Sequence, residues 1–403
     1  MTARRPVGLP ALGLVTPLGS PSADVARALF RGTHAGLVAR HDLYTGRTVR
    51  VGEVAATLPP SPAAAAPWES RNNRLMLAAL EQIRPSIDAA LRRHGPARVG
   101  VVLGTSTSGV AEHAEARVHR ARTGDWPAGS DYRQWEVGSL SDHAALALGV
   151  AGPAYSIATA CSASAKVFAS GRRLLEAGIC DAVVVGGADT LCRMTVAGFS
   201  SLEALSRDIC NPFSRNRDGI NIGEGAAAFL MTRDEAPVSL LGSGECSDAH
   251  HISAPHPDGK GAHEAMRLAL QDAALAPEDV AYINLHGTGT PLNDSMEAKA
   301  IARLFGSTVA CSSTKAMIGH ALGAAGACEA AFVWLTLHPA FNPENRLPPH
   351  LWDGEADPDM PALRLAEAGA QFKARDGRMA MLSNSFAFGG NNVVLAFGRG
   401  APP

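Results

Sequence analysis

Short runs of β-branched and apolar residues alternate with longer alanine- and leucine-rich stretches along most of the chain. The short runs have the length and the flanking turn residues of strands, and the longer stretches have the length and composition of helices. This alternation predicts an α/β protein built in layers. The predicted strands are 98–104, 154–159, 181–187, 226–231, 238–245, 280–287, 307–314, 378–385 and 392–398, and the predicted helices are 72–94, 162–177, 261–275, 295–305 and 321–337.

The predicted elements form two similar series. Each half of the chain offers strands and helices that end in a hairpin-like pair of strands, although no sequence repeat is visible. We therefore predict a structural duplication, with an N-terminal half over 1–237 and a C-terminal half over 238–403. Segments 57–67 and 339–365 are predicted to be surface loops.

Composition and charge narrow the classes of function. The 403 residues are 46% hydrophobic and carry a formal net charge of −2, and the mean hydropathy is +0.02. A chain of this length can hold two domains or one large duplicated one. Because no global field attracts nucleic acid or an anionic membrane, a charged partner must be met by a local patch.

Two uncharged or apolar stretches have features of a targeting or membrane segment. The N-terminal apolar stretch is interrupted by Pro6, Pro10 and Pro17, so we predict a first strand and a turn there and not a signal peptide. The longest uncharged run, 144–165, is rich in glycine, serine and alanine and would be a poor membrane span. We expect a cytoplasmic protein that does not span a membrane.

One of the seven cysteines stands out by its setting. The cysteines show no CxxC pairs and no metal-ligand spacing, which favours free thiols in a reducing compartment. A lone cysteine is usually a buried core residue. Cys161, in "ATACSASAK", follows a predicted strand and precedes a predicted helix. Unpaired N–H groups and the helix dipole favour a thiolate at such a place.

Three further loops carry chemistry at the ends of predicted strands. His286 enters the loop "HGTGTP", in which Thr288 and Thr290 offer hydroxyl groups, and "STKAMIGHALGAAG" carries Lys315 and His320. The turn "NSFAFGG" combines two aromatic rings with two glycines. Each loop has an ordinary structural interpretation, but strand ends are where α/β proteins place their sites.

The segments "TACSASA", "HGTGTP", "STKAMIGHALGAAG" and "NSFAFGG" resemble the active-site motifs of β-ketoacyl-acyl carrier protein synthases, in the order of that family. The stretch 211–227 is also similar to one typical of the family. The resemblance implies the thiolase fold, with two duplicated α/β halves in a five-layered αβαβα arrangement, usually in a dimer. It also implies decarboxylative Claisen condensation without a metal or redox cofactor, on substrates carried by the phosphopantetheine of acyl carrier protein.

The resemblance assigns roles to the catalytic groups. Cys161 would accept an acyl group from a carrier-protein thioester. His286 and His320 would donate hydrogen bonds to the thioester oxygen of malonyl-carrier protein while loss of CO2 builds an enolate. Lys315 would position His320 and Glu297.

The remaining implied roles concern substrate binding and support. The backbone N–H groups of Cys161 and Phe388 would form an oxyanion hole, and the Phe388 ring would gate the acyl pocket. The other implied substrate contacts are Thr288, Thr290, Phe199, Phe386 and Thr107, the last near a distal acyl pocket at the dimer boundary. The supporting carboxylates are Asp294 and Glu297.

Comparison with related families refines the interpretation. Degradative thiolases carry a second catalytic cysteine in a late loop, whereas the last cysteine here, Cys328, lies within a predicted helix. Ala387 replaces the usual glycine between the two phenylalanines, and Asn391 replaces the usual threonine, so gating is expected to differ. The chain most closely resembles the ketosynthases of bacterial aryl polyene clusters in three segments, "RNNRLMLAAL", "VVLGTSTSG" and "NSFAFGGNN". Those ketosynthases work beside a partner subunit that lacks the catalytic cysteine.

Partners and alternative functions follow from the same resemblance. We expect a homodimer, or a heterodimer with a chain-length-factor-like subunit, and no nucleic acid. Arg71 and Arg74 are candidates for docking an acidic carrier protein, with a solvated helix face as an equally good interpretation. The alternatives are a housekeeping fatty-acid elongation synthase, a non-catalytic partner subunit, which the presence of Cys161 disfavours, and a cysteine hydrolase.

Overall fold

Two sets of strands lie at the centre of the computed structural model, which describes residues 5–373 and 379–399. The nine strands predicted from the sequence are all present, with ends shifted by a few residues. Residue 378, where one of them was predicted to begin, is outside the described residues. The strands are β1 (Val7–Val15), β2 (Leu37–Arg40), β3 (Val49–Gly52), β4 (Val99–Gly104), β5 (Ala154–Ile157), β6 (Ala182–Asp189), β7 (Ile222–Gly223), β8 (Gly225–Thr232), β9 (Val238–Ser247), β10 (Val280–Asn284), β11 (Ala310–Ser312), β12 (Arg364–Leu365), β13 (Met379–Phe386) and β14 (Asn391–Arg399).

The helices include all five predicted stretches and several that the pattern did not predict. Short 3₁₀ turns lead into two of them, at Ala160–Ser162 and at Leu322–Ala324. The helices are α1 (Ser22–Arg31), α2 (Arg71–Gln82), α3 (Arg84–His94), α4 (Val110–Thr123), α5 (Ser139–Leu148), α6 (Ala163–Glu176), α7 (Arg193–Ser201), α8 (Lys260–Ala273), α9 (Pro291–Phe305), α10 (Lys315–Ile318) and α11 (Ala325–Leu337).

The strand order shows the duplication. The first half reads β5-β4-β6-β8-β1, and the second reads β11-β10-β13-β14-β9 with β12 on its outer edge. Numbered along the chain, both orders are third, second, fourth, fifth, first, and the parallel and antiparallel pairings also match. The two sets join where Val7 pairs with Leu240. The predicted duplicated α/β architecture is confirmed, and the boundary at residue 237 stays a prediction.

Helices separate and cover the two sets of strands, which gives five layers. Between them, α6 and α11 contact strands of both sets, while α2 and α5 cover one outer face and α8 and α9 the other. All 13 residues of α11 are buried, which explains an apolar helix without a polar face. The strands β6 and β8 are likewise continuous buried runs because helices cover both of their faces.

The differences from the predicted elements have local causes. The predicted helix 72–94 is two helices that meet at Ile83, because Pro85 has no N–H for the helical ladder. Helices α1, α4, α5 and α7 were not predicted. Of these, α4 buries only Ala116, so its sequence lacks the apolar period on which prediction depends. The predicted loops contain a 3₁₀ turn at Ala63–Trp68 and the short strand β12.

Candidate active site

Cys161 lies in the 3₁₀ turn that leads from β5 into α6. The preceding residue, Ala160, has a left-handed φ of +49°, a strained conformation that proteins keep mainly at functional sites. The Cys161 side chain is buried, and its Sγ lies 3.1 Å from Nε2 of His320. The thiol and the imidazole are therefore in direct hydrogen-bonding contact.

His286 and His320 come to the same cavity from two different loops. His286 follows the end of β10, and its ring lies 5.3 Å from that of His320, nearly perpendicular to it. The His320 backbone is held on both sides, since its N–H donates to the Asn221 carbonyl at 2.7 Å and its carbonyl accepts from Gly223 at 2.9 Å. Both histidines and Cys161 line one cavity of about 270 Å³.

Lys315 is buried behind His286 and has a different carboxylate partner from the one expected. Its Nζ donates to the His286 carbonyl and pairs with Glu329 of α11. The expectation that Lys315 positions His320 and Glu297 is thereby corrected. Prediction missed Glu329, although a single carboxylate in the apolar helix "AGACEAAFVWLTL" was a usable signal.

Glu297 holds the His286 loop directly. Its carboxylate accepts hydrogen bonds from the backbone N–H groups of His286 at 2.9 Å and Gly287 at 2.8 Å, and from the Asn384 amide at 3.0 Å. Burial raises the pKa of Glu297 to about 7. The carboxyl group thus fixes the backbone from which the His286 ring projects.

Lys315 also selects the tautomer of His286. An ammonium group only donates hydrogen bonds, and Nζ lies 3.5 Å from Nδ1 of His286. Nδ1 is therefore favoured as the acceptor, and the ring proton is favoured on Nε2. A neutral His286 in this form can donate a hydrogen bond to a substrate oxygen.

Burial dominates the electrostatics of the site. It raises the pKa of Cys161 to about 12, against a smaller opposite effect of Lys315. Burial, reinforced by the charge of Lys315, lowers the pKa of His286 and of His320 well below 6.5. The resting site therefore holds a neutral thiol beside neutral imidazoles. This corrects the expectation that the helix terminus favours a thiolate, because desolvation outweighs it.

The buried histidines predict that acid destabilises the fold. Burial lowers the pKa of His143 and of His350 to about 4, whereas an unfolded histidine titrates near 6.5. Below that pH the unfolded chain binds protons that the native state does not. We expect each such histidine to remove about 1.4 kcal/mol from the free energy of unfolding between pH 8 and pH 5.5, measured by urea denaturation.

The control for this prediction is a variant of His143, which lies on α5, with its Nε2 2.7 Å from the Ser61 hydroxyl. His143→Gln keeps a polar partner for Ser61 and does not titrate. Its stability should fall less than that of the wild type over the same pH range, by about 1.4 kcal/mol. Equal falls would contradict the prediction.

The turn between β13 and β14 closes over the thiol. The backbone N–H of Phe388 slightly lowers the pKa of the Cys161 thiol, and the Phe388 ring, 38% exposed, stacks on Phe199 at 5.7 Å between centroids. Ala387 has extended backbone angles, φ −108° and ψ 154°, which any residue adopts, while Gly389 has a left-handed φ of +80°. This conformation therefore does not require a glycine at position 387.

Most of the other predicted substrate contacts line the cavity, and one does not. Thr288, Thr290, Phe199 and Phe386 all line it. Thr107 is not among its described lining residues. The Thr107 hydroxyl is buried and donates to the Asp189 carboxylate at 2.7 Å, and its expected place at a distal acyl pocket on the dimer boundary stays a prediction. Prediction also missed the apolar residues at the exposed mouth, Leu202 and Leu292.

The remaining predicted residues have internal partners. The Asp294 carboxylate accepts from the N–H groups of Phe213 at 2.8 Å and Gly289 at 3.2 Å, which holds the Gly/Thr loop. Arg71 pairs with the buried Glu224, and Arg74 donates to backbone carbonyls of the 58–59 segment. Their expected docking role stays a prediction, but the charge of Arg71 is already compensated within the chain.

The described residues include neither a candidate metal site nor a candidate membrane-spanning helix. No group of three or more histidine, cysteine, aspartate or glutamate side chains there could hold a metal ion. None of the helices in ranges 5–373 and 379–399 is both long enough and apolar enough to cross a membrane.

Sequence comparisons match this chain to one family over most of its length. Residues 70–236 match the beta-ketoacyl synthase N-terminal domain, and 238–347 match the C-terminal domain. The 3-oxoacyl-acyl-carrier-protein synthase 2 of Staphylococcus aureus is 37% identical over 267 residues, which are 62% of this chain and 64% of that protein. The enzyme of the same name from Synechocystis sp. is 37% identical over 63% of each chain. The match thus spans less than two thirds of these relatives.

Solved structures match the whole fold. A ketosynthase, ApeO, in complex with its chain length factor, ApeC, from Xenorhabdus doucetiae is 43% identical, with a TM-score of 0.91 and coverage of 99% of this chain and 100% of that one. The ishigamide ketosynthase/chain length factor is 27% identical, with a TM-score of 0.85 and the same coverage. These neighbours have the thiolase fold. The four catalytic candidates of the site lie within the residues that match the two family domains, and they are Cys161, His286, Lys315 and His320. The chain belongs to the β-ketoacyl synthase family.

Proposed function

We propose that the protein is a β-ketoacyl-acyl carrier protein synthase, which joins an acyl group on Cys161 to a malonyl unit on acyl carrier protein with loss of CO2. The observation that carries this proposal is the contact between the Cys161 thiol and the His320 imidazole at 3.1 Å, with His286 in the same cavity. A nucleophile beside a proton acceptor suits acyl transfer. A second imidazole that can donate a hydrogen bond suits the stabilisation of an enolate.

The first half-reaction loads the acyl group. The Cys161 sulfur attacks the thioester carbonyl, a carbon–sulfur bond to Cys161 forms, and the bond to the phosphopantetheine sulfur breaks. The thiol proton passes through His320 to the departing thiolate. The N–H groups of Cys161 and Phe388 stabilise the oxyanion of the tetrahedral intermediate, and the effect of the Phe388 N–H on the pKa of the Cys161 thiol supports this role.

The second half-reaction forms the new carbon–carbon bond. In this step the Nε2–H groups of His286 and His320 bind the thioester oxygen of malonyl-carrier protein, so His320, whose Nε2 accepts the thiol proton during loading, now carries its proton on Nε2. The carboxylate leaves as CO2, its electron pair forms the enolate, and the enolate carbon attacks the acyl carbonyl on Cys161. The Cys161 sulfur leaves as a thiolate and takes up one proton from solvent, which restores the thiol. Neutral imidazoles suit this step because they donate hydrogen bonds without removing a carbon-bound proton.

Substrate delivery belongs to the same proposal. The substrates would be carried on the phosphopantetheine arm of acyl carrier protein, and the hydroxyls of Thr288 and Thr290, 2.9 Å apart, would bind that arm at the cavity. The exposed apolar mouth, with Leu202 and Leu292, suits the passage of an acyl chain.

We propose a partner subunit of the chain-length-factor type. The ketosynthase ApeO is described in complex with its chain length factor, and this chain matches it over its full length. On the described part of the chain, β5 lies at the outer edge of the strand order with β4 as its neighbour, and it is half-buried throughout. The segment before α5 exposes Trp126, Tyr132 and Trp135. An unpaired strand edge and exposed aromatic residues are both features that suit subunit pairing.

The pathway is proposed from the motif resemblance and the comparisons together. The resemblance to aryl polyene ketosynthases, with 43% identity to ApeO, favours elongation of a conjugated chain. The alternative is fatty-acid elongation, favoured by the 37% identical Staphylococcus aureus synthase. Relative rates on conjugated and saturated acyl carriers distinguish the two.

The test of the function is intact-mass analysis after incubation with acyl carrier proteins, with and without the partner subunit. Acyl load on the protein, followed by CO2 release and a product two carbons longer when malonyl-carrier protein is added, supports the synthase. Thioester hydrolysis without CO2 release would instead identify a hydrolase. No acyl load under either condition would overturn the proposal.

The stacked pair Phe199 and Phe388 predicts a gating phenotype. A stacked aromatic pair is worth about 0.5–1.5 kcal/mol, so Phe199→Ala should open the turn more often by roughly two- to twelvefold. We expect CO2 release from malonyl-carrier protein without an acyl primer to rise by that factor. Met194→Ala, an exposed change on the same helix, should leave it unchanged. Equal primer-free rates in both variants would contradict the gate.

A further inference from the structure

His350 lies in a segment predicted to be a surface loop, yet it is buried with 6% of its surface exposed. Both ring nitrogens have partners, since the Ser313 N–H donates to Nδ1 at 3.1 Å and Nε2 lies 2.9 Å from the Pro212 carbonyl oxygen. A carbonyl only accepts, so Nε2 carries the proton. The ring is therefore a bridge with one fixed tautomer between the loops 211–213 and 313–315.

The first connection from His350 to the catalytic groups passes through Ser313. The Ser313 hydroxyl donates to the Gly287 carbonyl at 2.7 Å and accepts from the Lys315 N–H at 3.3 Å. Gly287 follows His286 directly. The backbone that His350 fixes at Ser313 thus holds both the His286 loop and the start of the helix that carries Lys315.

The second connection passes through one peptide group. The carbonyl of the Pro212–Phe213 peptide accepts from His350, and its N–H donates to the Asp294 carboxylate at 2.8 Å. Phe213 has a left-handed φ of +63°, a costly conformation for a bulky residue that needs support from its surroundings. Its ring packs against Gly287, where a methyl group would meet the ring edge at 3.1 Å.

We propose that His350 is a positioning residue for His286 and Lys315. This inference rests on the proposed function. His350 is not among the described residues that line the cavity, and no hydrogen bond described here joins it to Cys161 or His320. The backbone of His320 is held instead by Asn221 and Gly223. Loss of the His350 bridge should therefore impair the step that uses His286, the condensation, and spare the acylation of Cys161.

Single-turnover measurements of the two half-reactions test the proposal. Acylation is followed by intact mass, and condensation by CO2 release after malonyl-carrier protein is added to the pre-acylated enzyme. We expect His350→Ala to slow condensation at least tenfold and to change acylation less than twofold. His350→Asn places an acceptor near Nδ1 and His350→Gln a donor near Nε2, so each should restore part of the rate.

The control is His143→Ala, which removes another buried histidine with one hydrogen bond outside the site. It should change both half-reactions equally or not at all. If His350→Ala does not fold, the Asn and Gln variants must still slow condensation more than acylation. The proposal is overturned if the folded variants keep the wild-type condensation rate or lose both half-reactions in equal proportion. A wild type that neither acylates nor condenses would instead refute the proposed function.

Discussion

We expect the Cys161→Ala variant to accept no acyl group and to lose at least about 10³-fold in condensation rate, as enzymes do when a nucleophile is removed. Cys161 is the one cysteine among the described lining residues of the cavity, so no second thiol can take its place. The measurement is intact mass after incubation with an acyl carrier protein, followed by product analysis with malonyl-carrier protein. Wild-type protein should gain the mass of one acyl group.

Cys180→Ala is the matched control for this prediction. Cys180 is also buried, and burial likewise raises its pKa, but it lies between α6 and β6, outside the residues that line the cavity. It should load and elongate like the wild type. Acyl load on the Cys161→Ala variant at the wild-type level would place the nucleophile elsewhere and remove the basis of the proposed mechanism.

The parts of the fold that were predicted are those in which burial leaves a pattern along the chain. Strands such as β6 are continuous apolar runs because both of their faces are covered. Helix α5 was missed because it buries Ser139, Ser141 and His143 beside its apolar residues, so its apolar positions do not stand out. The hydrophobic periodicity of a sequence predicts elements that bury apolar residues, and it does not predict elements that bury polar residues.

The candidate site likewise has residues that the sequence predicts and partner residues that it does not. Cys161, His286, Lys315 and His320 could be chosen because each stands in a short segment with its own composition at a turn or strand end. The residues that pair with these four groups could not be predicted, because the pairing depends on how elements distant in the sequence pack together. Lys315 was expected beside Glu297 and instead pairs with Glu329. His350 lies in irregular chain, where no periodic signal exists, and only its two buried hydrogen bonds reveal it.

The pairing of Lys315 with Glu329 carries the second large prediction. Both side chains are 1% exposed, so neither charge has water as an alternative partner. Glu329→Ala should leave the Lys315 ammonium group buried without a carboxylate, which costs about 3–5 kcal/mol in comparable cases. We expect the free energy of unfolding to fall by about that amount, measured by urea denaturation at pH 8. That pH lies above the pKa of Glu329, which burial raises to about 7.

A double variant separates the loss of one charge from the loss of the pair. In Lys315→Met/Glu329→Leu both buried charges are replaced by apolar groups of similar volume, a change that is often neutral or stabilising. The double variant should therefore recover most of the stability lost by Glu329→Ala, yet condense poorly, because the groups that fix His286 are gone. Glu264→Ala breaks an exposed ion pair with Arg267, and it should have little measurable effect on the free energy of unfolding. If the double variant is no more stable than Glu329→Ala, the stability lost in Glu329→Ala does not come from an uncompensated Lys315 charge, and the prediction is contradicted.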